Sequence, residues 1–178
     1  MEELDQHEER IRGEVIFKGR LLCVERDTVR LPNGLTSSRE VVRHPGAVGI
    51  IALMDQQVLL VRQYRYAIAQ KTLEIPAGKL DPQETPVDCA VRELREETGY
   101  RGTMEHISTF YTTPGFSDEV MHLFLAQDLV WDPLAQDEDE FIEVERIPWD
   151  EAVQRAQHND FKDAKTVLGI LLVKGRMG

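Results

Sequence analysis

Four glutamates crowd one stretch of the chain, GKLDPQETPVDCAVRELREETGY: Glu84 comes first, and Glu93, Glu96 and Glu97 follow within one five-residue span. Like charges three and four positions apart on a helix repel one another, so this crowding needs a counter-charge. Arg92 and Arg95 can supply part of it, which would make the stretch a solvated, mixed-charge helix surface. The other chemistry is a site for a hard divalent cation. Magnesium takes oxygen ligands, typically one or two carboxylates, keeps several waters and bridges to substrate phosphates.

The element that positions these carboxylates is a helix with well-marked ends. Thr85 is an N-cap, Pro86 fits the first helical position, Asp88 completes a capping-box-like pair, and Gly99 is placed to stop the helix. Val87, Ala90, Val91 and Leu94 recur at i, i+3, i+4 and i+7 and predict one apolar stripe. At about 100° per residue, Glu93, Glu96 and Glu97 are expected on a separate face, roughly 120° round from that stripe.

Around this helix the chain reads as mixed α/β. GEVIFKG, LLCVERDTVRL and SSREVVRH, the last preceded by the turn residues Pro32-Asn33-Gly34, predict a small β-meander over residues 13–45. AVGIIALM and QVLLVRQYRY flank Asp55-Gln56 and predict a hairpin of buried strands. HISTFY and EVMHLFLAQ predict two more strands on either side of TTPGFSDE, and FIEVERI predicts a last one. PWDEAVQRAQ and DAKTVLGILLVKG predict two helices, the second capped by Asp163 and stopped at Gly175. The expected domains are an N-terminal β-meander over 1–45 and a mixed α/β domain over 46–178.

Composition narrows the function classes. With 178 residues, 42% of them hydrophobic, the chain can build a proper core. A formal net charge of −11 opposes nucleic-acid backbones and anionic membranes, so neither is an expected partner. Cys23 and Cys89 fit no metal or redox spacing and are expected as buried thiols in a reducing compartment. The polar, acidic N-terminus carries no apolar signal segment, and VLGILLV is too short to span a bilayer. A cytoplasmic location is the expectation.

Gly78, Glu84, Arg92-Glu93-Leu94, Glu96-Glu97 and Gly99 stand at the spacing of the Nudix box, and the chain resembles the Nudix hydrolases. Its one departure is Tyr100, where an aliphatic residue is usual and where a tyrosine ring can still pack. The resemblance implies an αβα sandwich around a mixed sheet and metal-dependent hydrolysis of a nucleoside diphosphate derivative. It implies Mg2+, with Mn2+ as a substitute, held by Glu93, Glu96, Glu97 and the backbone carbonyl of Ala77. Arg92 would orient the glutamates through charge-assisted hydrogen bonds. Gly78 and Gly99 would permit the turns flanking the helix.

The box says little about substrate. Pro114 lies fifteen residues past Gly99, in TTPGFSDE, and together with RHPGAVGII, VRQYRYA and LEIPAGKL this loop resembles the ADP-ribose pyrophosphatase subgroup. That resemblance implies hydrolysis of ADP-ribose to AMP and ribose 5-phosphate. It implies that Arg65 contacts the diphosphate and that Arg39 and Glu119 bind substrate near a subunit interface. It further implies a homodimer in which the N-terminal meander is exchanged. In the acidic stretch AQDEDEFIEV it places Glu138 as the residue that activates water, with Glu140 next and the box glutamates Glu96 and Glu97 as rivals. The alternatives are another ADP-sugar, a GDP-sugar or NADH as substrate, or a non-catalytic nucleotide sensor. Against a sensor, every charged position of the box is intact. His44, His106 and His122 show no metal-ligand spacing, and Ser117 has no His/Asp partner. Phe17, Tyr64 and Tyr66 fit either adenine stacking or packing in a core or interface.

Overall fold

The computed structural model describes residues 6–136 and 141–177. Its contacts divide the chain into two units, Met1–Gly46 with Tyr111–Val120, and Ala47–Phe110 with Met121–Gly178.

The first unit is built on a three-stranded antiparallel sheet of β1 (Glu9–Lys18), β2 (Cys23–Arg30) and β3 (Thr36–Arg43), in the order β1-β2-β3. β1 starts ahead of the predicted GEVIFKG segment. The turn between β2 and β3 uses Gly34 at φ +84° and an Asn33 side chain that accepts the Leu35 N–H at 3.1 Å. Every residue of β1 is exposed, including Val15, Ile16 and Phe17. Cys23, expected as buried, is half-buried in β2. The TTPGFSDE loop is fastened to β3: Val42 N–H donates to Phe116 O at 2.8 Å, and Ser117 Oγ donates to Val42 O at 3.1 Å.

The second unit is a mixed sheet covered on both faces. β4 (Ala47–Met54) and β5 (Gln57–Arg65) form the predicted hairpin, turning at Asp55 and Gln56 with φ of 52° and 61°. Two positive φ values in a two-residue turn are the conformation whose twist suits a hairpin. A 3-10 turn at Tyr66–Ile68 leads to β6 (Gln70–Glu74) and β7 (Ala77–Lys79), short strands that the apolar patterning did not predict. Then come α1 (Pro86–Thr98), β8 (Tyr100–Tyr111), β9 (Val120–Trp131), β10 (Glu143–Pro148), α2 (Trp149–Gln157) and α3 (Ala164–Met177). The sheet runs β10-β5-β4-β9-β8, with β6 beside β5, β7 beside β4, and β4 parallel to β9.

The period-2 rule sorts the strands' side chains between two cores. Val48, Ile50, Leu59, Phe124 and Ala126 pack with Cys89, Ala90 and Leu94 of α1. Ile51, Leu60, Leu123 and Leu125 pack with Ala152 and Val153 of α2 and Ile170 and Val173 of α3. Burial on both faces is why the β4 and β5 sequences are nearly continuous in aliphatics. The architecture is therefore the predicted αβα sandwich. Asp163 caps α3 as expected, accepting the Thr166 N–H at 3.0 Å. Gly175 does not stop α3, which continues to Met177. A glycine near a helix end costs about 1 kcal/mol and is not by itself a terminator.

Candidate active site

α1 begins where Thr85 Oγ1 accepts the Asp88 N–H at 3.3 Å, has Pro86 in its first turn, and ends at Gly99 with φ +79°. Its buried face differs from the predicted stripe. Cys89, Ala90 and Leu94 are fully buried, but Val87 is 44% exposed, and Glu93 and Glu97 lie on the buried side at 8% and 3% exposure. The carboxylates are thus not all gathered on a separate face: two of them point inward and need partners there.

Arg92 supplies one set. Its Nε and Nη2 meet Glu84 Oε1 and Oε2 at 2.8 and 2.9 Å, a fork-to-fork pair. Its Nη1 donates to Glu93 Oε1 at 2.8 Å and to Glu96 Oε2 at 2.9 Å. One guanidinium therefore holds three of the four box carboxylates. The Arg92 pair, against a smaller burial cost, lowers the Glu84 carboxyl to about 2, and Glu84 in turn raises Arg92. The fourth carboxylate, Glu97, accepts the Ala77 N–H through Oε2 at 2.9 Å. That bond puts the Ala77 peptide, whose carbonyl is the expected metal ligand, beside the helix.

Gly78 is needed here for space. It sits within β7 with no positive φ, so its predicted role in a turn gives way to another: a Cβ on Gly78 would stand 1.8 Å from Glu93 Cδ. Gly99 does serve a turn, and a Cβ there would also meet Trp131 Cζ3 at 2.3 Å. The same Trp131 packs edge-on against Tyr100, with ring centroids 5.2 Å apart. Tyr100, the unusual residue after Gly99, is thereby accommodated, with the Arg146 guanidinium 5.4 Å over its ring.

Arg65, at the end of β5, points its fork at Glu74 of β6, with Nε–Oε1 at 2.7 Å and Nη2–Oε2 at 2.6 Å. Glu74 is 2% exposed and also binds Thr72 and Lys165. Burial alone would push its carboxyl up, but Arg65 and Lys165 override this and hold it at about 2. The sequence reading missed Glu74, Thr72 and Lys165; the only cue was the place of Glu74 in LEIPAGKL, with Thr72 just before it.

Arg39 and Glu119 belong to the first unit. Arg39 forms a forked pair with Glu8 at 2.9 and 2.5 Å, and Glu119 accepts from Thr112 Oγ1 at 2.5 Å, with His44 Nδ1 at 3.7 Å. Glu138 and Glu140 lie outside the described residues. Ser117 serves its loop, and Cys89 is a buried thiol held up by desolvation. His106 and His122 share the Thr109 hydroxyl at 2.8 and 3.1 Å. Phe17, Tyr64 and Tyr66 are each more than half exposed, so none is a core residue within the chain.

The donor set can be tested against a divalent cation. Buried glutamates on one helix, a backbone peptide beside them and the room that Gly78 leaves for the Glu93 carboxylate suit a hard, oxygen-seeking ion. Among the described residues no three acidic, histidine or cysteine side chains converge as a ready-made cage.

Comparison with known proteins agrees with this geometry. The NUDIX domain model matches residues 43–167, and the model of the nucleoside diphosphate sugar hydrolase N-terminal domain matches residues 8–42. The chain belongs to the NUDIX family and is a hydrolase of that family, whose members generally need a divalent metal. It is 45% identical to a methanol dehydrogenase activator of Bacillus methanolicus, over 92% of this chain and 90% of that one. It is 42% identical, over the same shares, to an ADP-ribose pyrophosphatase of Bacillus subtilis (strain 168). A solved crystal structure of an ADP compounds hydrolase superposes with a TM-score of 0.86 at 26% identity, covering 97% of this chain and 95% of that one.

Proposed function

We propose that this chain hydrolyses the diphosphate of ADP-ribose, giving AMP and ribose 5-phosphate, with Mg2+ as cofactor. The observation that carries the proposal is the set of glutamates held by Arg92 beside the Ala77 peptide. The substrate choice draws on the TTPGFSDE loop and on the ADP-ribose pyrophosphatase and ADP compounds hydrolase among the similar proteins.

In this reading Glu93, Glu96, Glu97 and the Ala77 carbonyl hold the metal. When bound, Mg2+ screens the diphosphate, polarises a phosphoryl oxygen and acidifies water. Arg92 holds and orients Glu84, Glu93 and Glu96 through its hydrogen bonds, and Arg65 presents a guanidinium to the diphosphate. Glu138 takes the proton of the attacking water; Glu140 and the box glutamates Glu96 and Glu97 are its rivals. The new P–O bond forms as the bridging P–O bond breaks, and the proton balance is completed by solvent.

The proposal extends to assembly. Residues 1–45 form a dimerising extension and 46–178 the hydrolase domain, with Arg39 and Glu119 binding substrate near the interface. Exposed Val15, Ile16 and Phe17 on β1 support a covered, dimeric state, since a row of apolar side chains on an edge strand favours a partner. A cytoplasmic site of action fits a described structure in which no helix is long and apolar enough to cross a membrane.

A side-by-side product assay tests the substrate. Purified protein with Mg2+ is given ADP-ribose, NADH, GDP-mannose and 8-oxo-dGTP, and products are separated by chromatography. AMP forming mainly from ADP-ribose is expected; preference for another of the four would overturn the substrate assignment and leave the box chemistry standing.

A further inference from the structure

Arg65 is 42% exposed, yet both nitrogens on one edge of its guanidinium are committed to Glu74. Register explains how. Arg65 pairs with Gln70 across β5 and β6, Gln63 with Thr72, and Val61 with Glu74. By the period of two, Arg65, Thr72 and Glu74 share one face of the sheet, so the long side chain lies back along the strands to reach Glu74. Thr72 Oγ1 donates to Glu74 Oε1 at 2.6 Å, and Lys165 of α3 binds Glu74 Oε2. Lys165 is itself fixed by Asp163 at 2.9 Å, the residue that caps α3. Both Glu74 oxygens are therefore occupied twice, and the carboxylate has no freedom to turn.

Nη1 of Arg65 remains. Among the described residues none accepts from it, so the guanidinium has one edge clamped and one terminal nitrogen open. Glu74 raises the Arg65 pKa most, and the charges of Asp163 and Glu97 add to it. Glu97 of the box is thus within electrostatic reach of Arg65. A cation whose orientation is set by a buried anion is a prepared half of an anion site, because the ordering cost is met before substrate arrives.

We infer that Glu74, steadied by Thr72 and Lys165, is the positioning residue of Arg65: it fixes the guanidinium so that Nη1 meets the substrate diphosphate. This rests on the reading of Arg65 as a diphosphate contact. Without Glu74 the side chain is free to swing, and the contact must be ordered on binding. A network that only fastened α3 to the sheet would also use Lys165 and Glu74, but it would act independently of Arg65.

A double-mutant cycle separates these roles. Wild type, Arg65→Ala, Glu74→Gln and the double variant are compared in kcat/KM for ADP-ribose, in ADP affinity by calorimetry, and in thermal midpoint. Adenosine serves as the phosphate-free control ligand. Losing a charge-assisted diphosphate contact is expected to cost Arg65→Ala about 100-fold and Glu74→Gln about tenfold in kcat/KM. On the Arg65→Ala background, Glu74→Gln should cost less than about twofold, with adenosine affinity unchanged throughout. An undiminished Glu74→Gln penalty on that background, or an equal loss of adenosine affinity, overturns the inference while Arg65 keeps its role. If Arg65→Ala itself changes neither rate nor ADP affinity, the diphosphate reading of Arg65 fails and the inference falls with it. Should Glu74→Gln not fold, Glu74→Asp keeps the charge, retracts the carboxylate by one methylene and enters the same cycle.

Discussion

The carboxylate of Glu93 occupies the space that a side chain on Gly78 would need, a Cβ there falling 1.8 Å from Glu93 Cδ. The first box glycine and the first helix glutamate are thus one packing unit, built from a strand and a helix. Gly78→Ala should force Glu93 out of its position and lower activity at least tenfold. Overpacking of this kind costs about 1–3 kcal/mol, which should appear as a drop of several degrees in the melting midpoint. Steady-state rates and a thermal melt check both parts.

Arg92 is the counter-charge for three glutamates, so its loss leaves an acidic cluster on and beside α1. Arg92→Met should lower the melting midpoint in the absence of metal, and millimolar Mg2+ should restore more stability to the variant than to wild type. Arg92→Lys should rescue little, because an ammonium cannot make the forked pair with Glu84. Melting curves with and without EDTA give the comparison.

Acid stability should follow Glu74. Its carboxyl is held at about 2 in the folded chain against an ordinary 4.5. A depressed folded-state pKa contributes stability that is complete above the unfolded value and is lost as pH falls from there through the folded value. The pH dependence of unfolding should therefore steepen between about 4.5 and 2. Glu74→Gln, which cannot titrate, should show a shallower slope in that window in denaturant titrations.

Much of this site is legible in the sequence, and the failures have physical reasons. Thr85, Pro86 and Gly99 mark α1 because capping and φ preference are local. The β4–β5 hairpin is legible because aliphatic runs and a two-residue turn are local too. Glu93 and Glu97 were expected away from the core because an apolar-periodicity count leaves out charged residues, and a carboxylate can be buried once Arg92 or a backbone N–H meets it. The stripe through Val87 fails for the same reason: inward positions that it should have filled belong to glutamates. The Glu74–Lys165 pair spans 91 residues, beyond any local pattern. β6 and β7, five and three residues long, are too short to show a period.

Gly99 carries two constraints at once, a positive φ and close contact with Trp131. Gly99→Ala should destabilise the fold by more than the roughly 1 kcal/mol of a strained φ alone, because Trp131 must also move. Pairing it with Trp131→Ala should recover part of that loss, and denaturant unfolding of the single and double variants measures the recovery.

The most direct test of the account is Glu97→Gln. A glutamine oxygen can still accept the Ala77 N–H that Glu97 accepts at 2.9 Å, so the fold should persist, while the charge that a divalent cation needs is gone. The account predicts circular dichroism like that of wild type and a fall in Mg2+-dependent ADP-ribose hydrolysis of at least about 100-fold. A folded Glu97→Gln protein that retained most of the wild-type rate would contradict it.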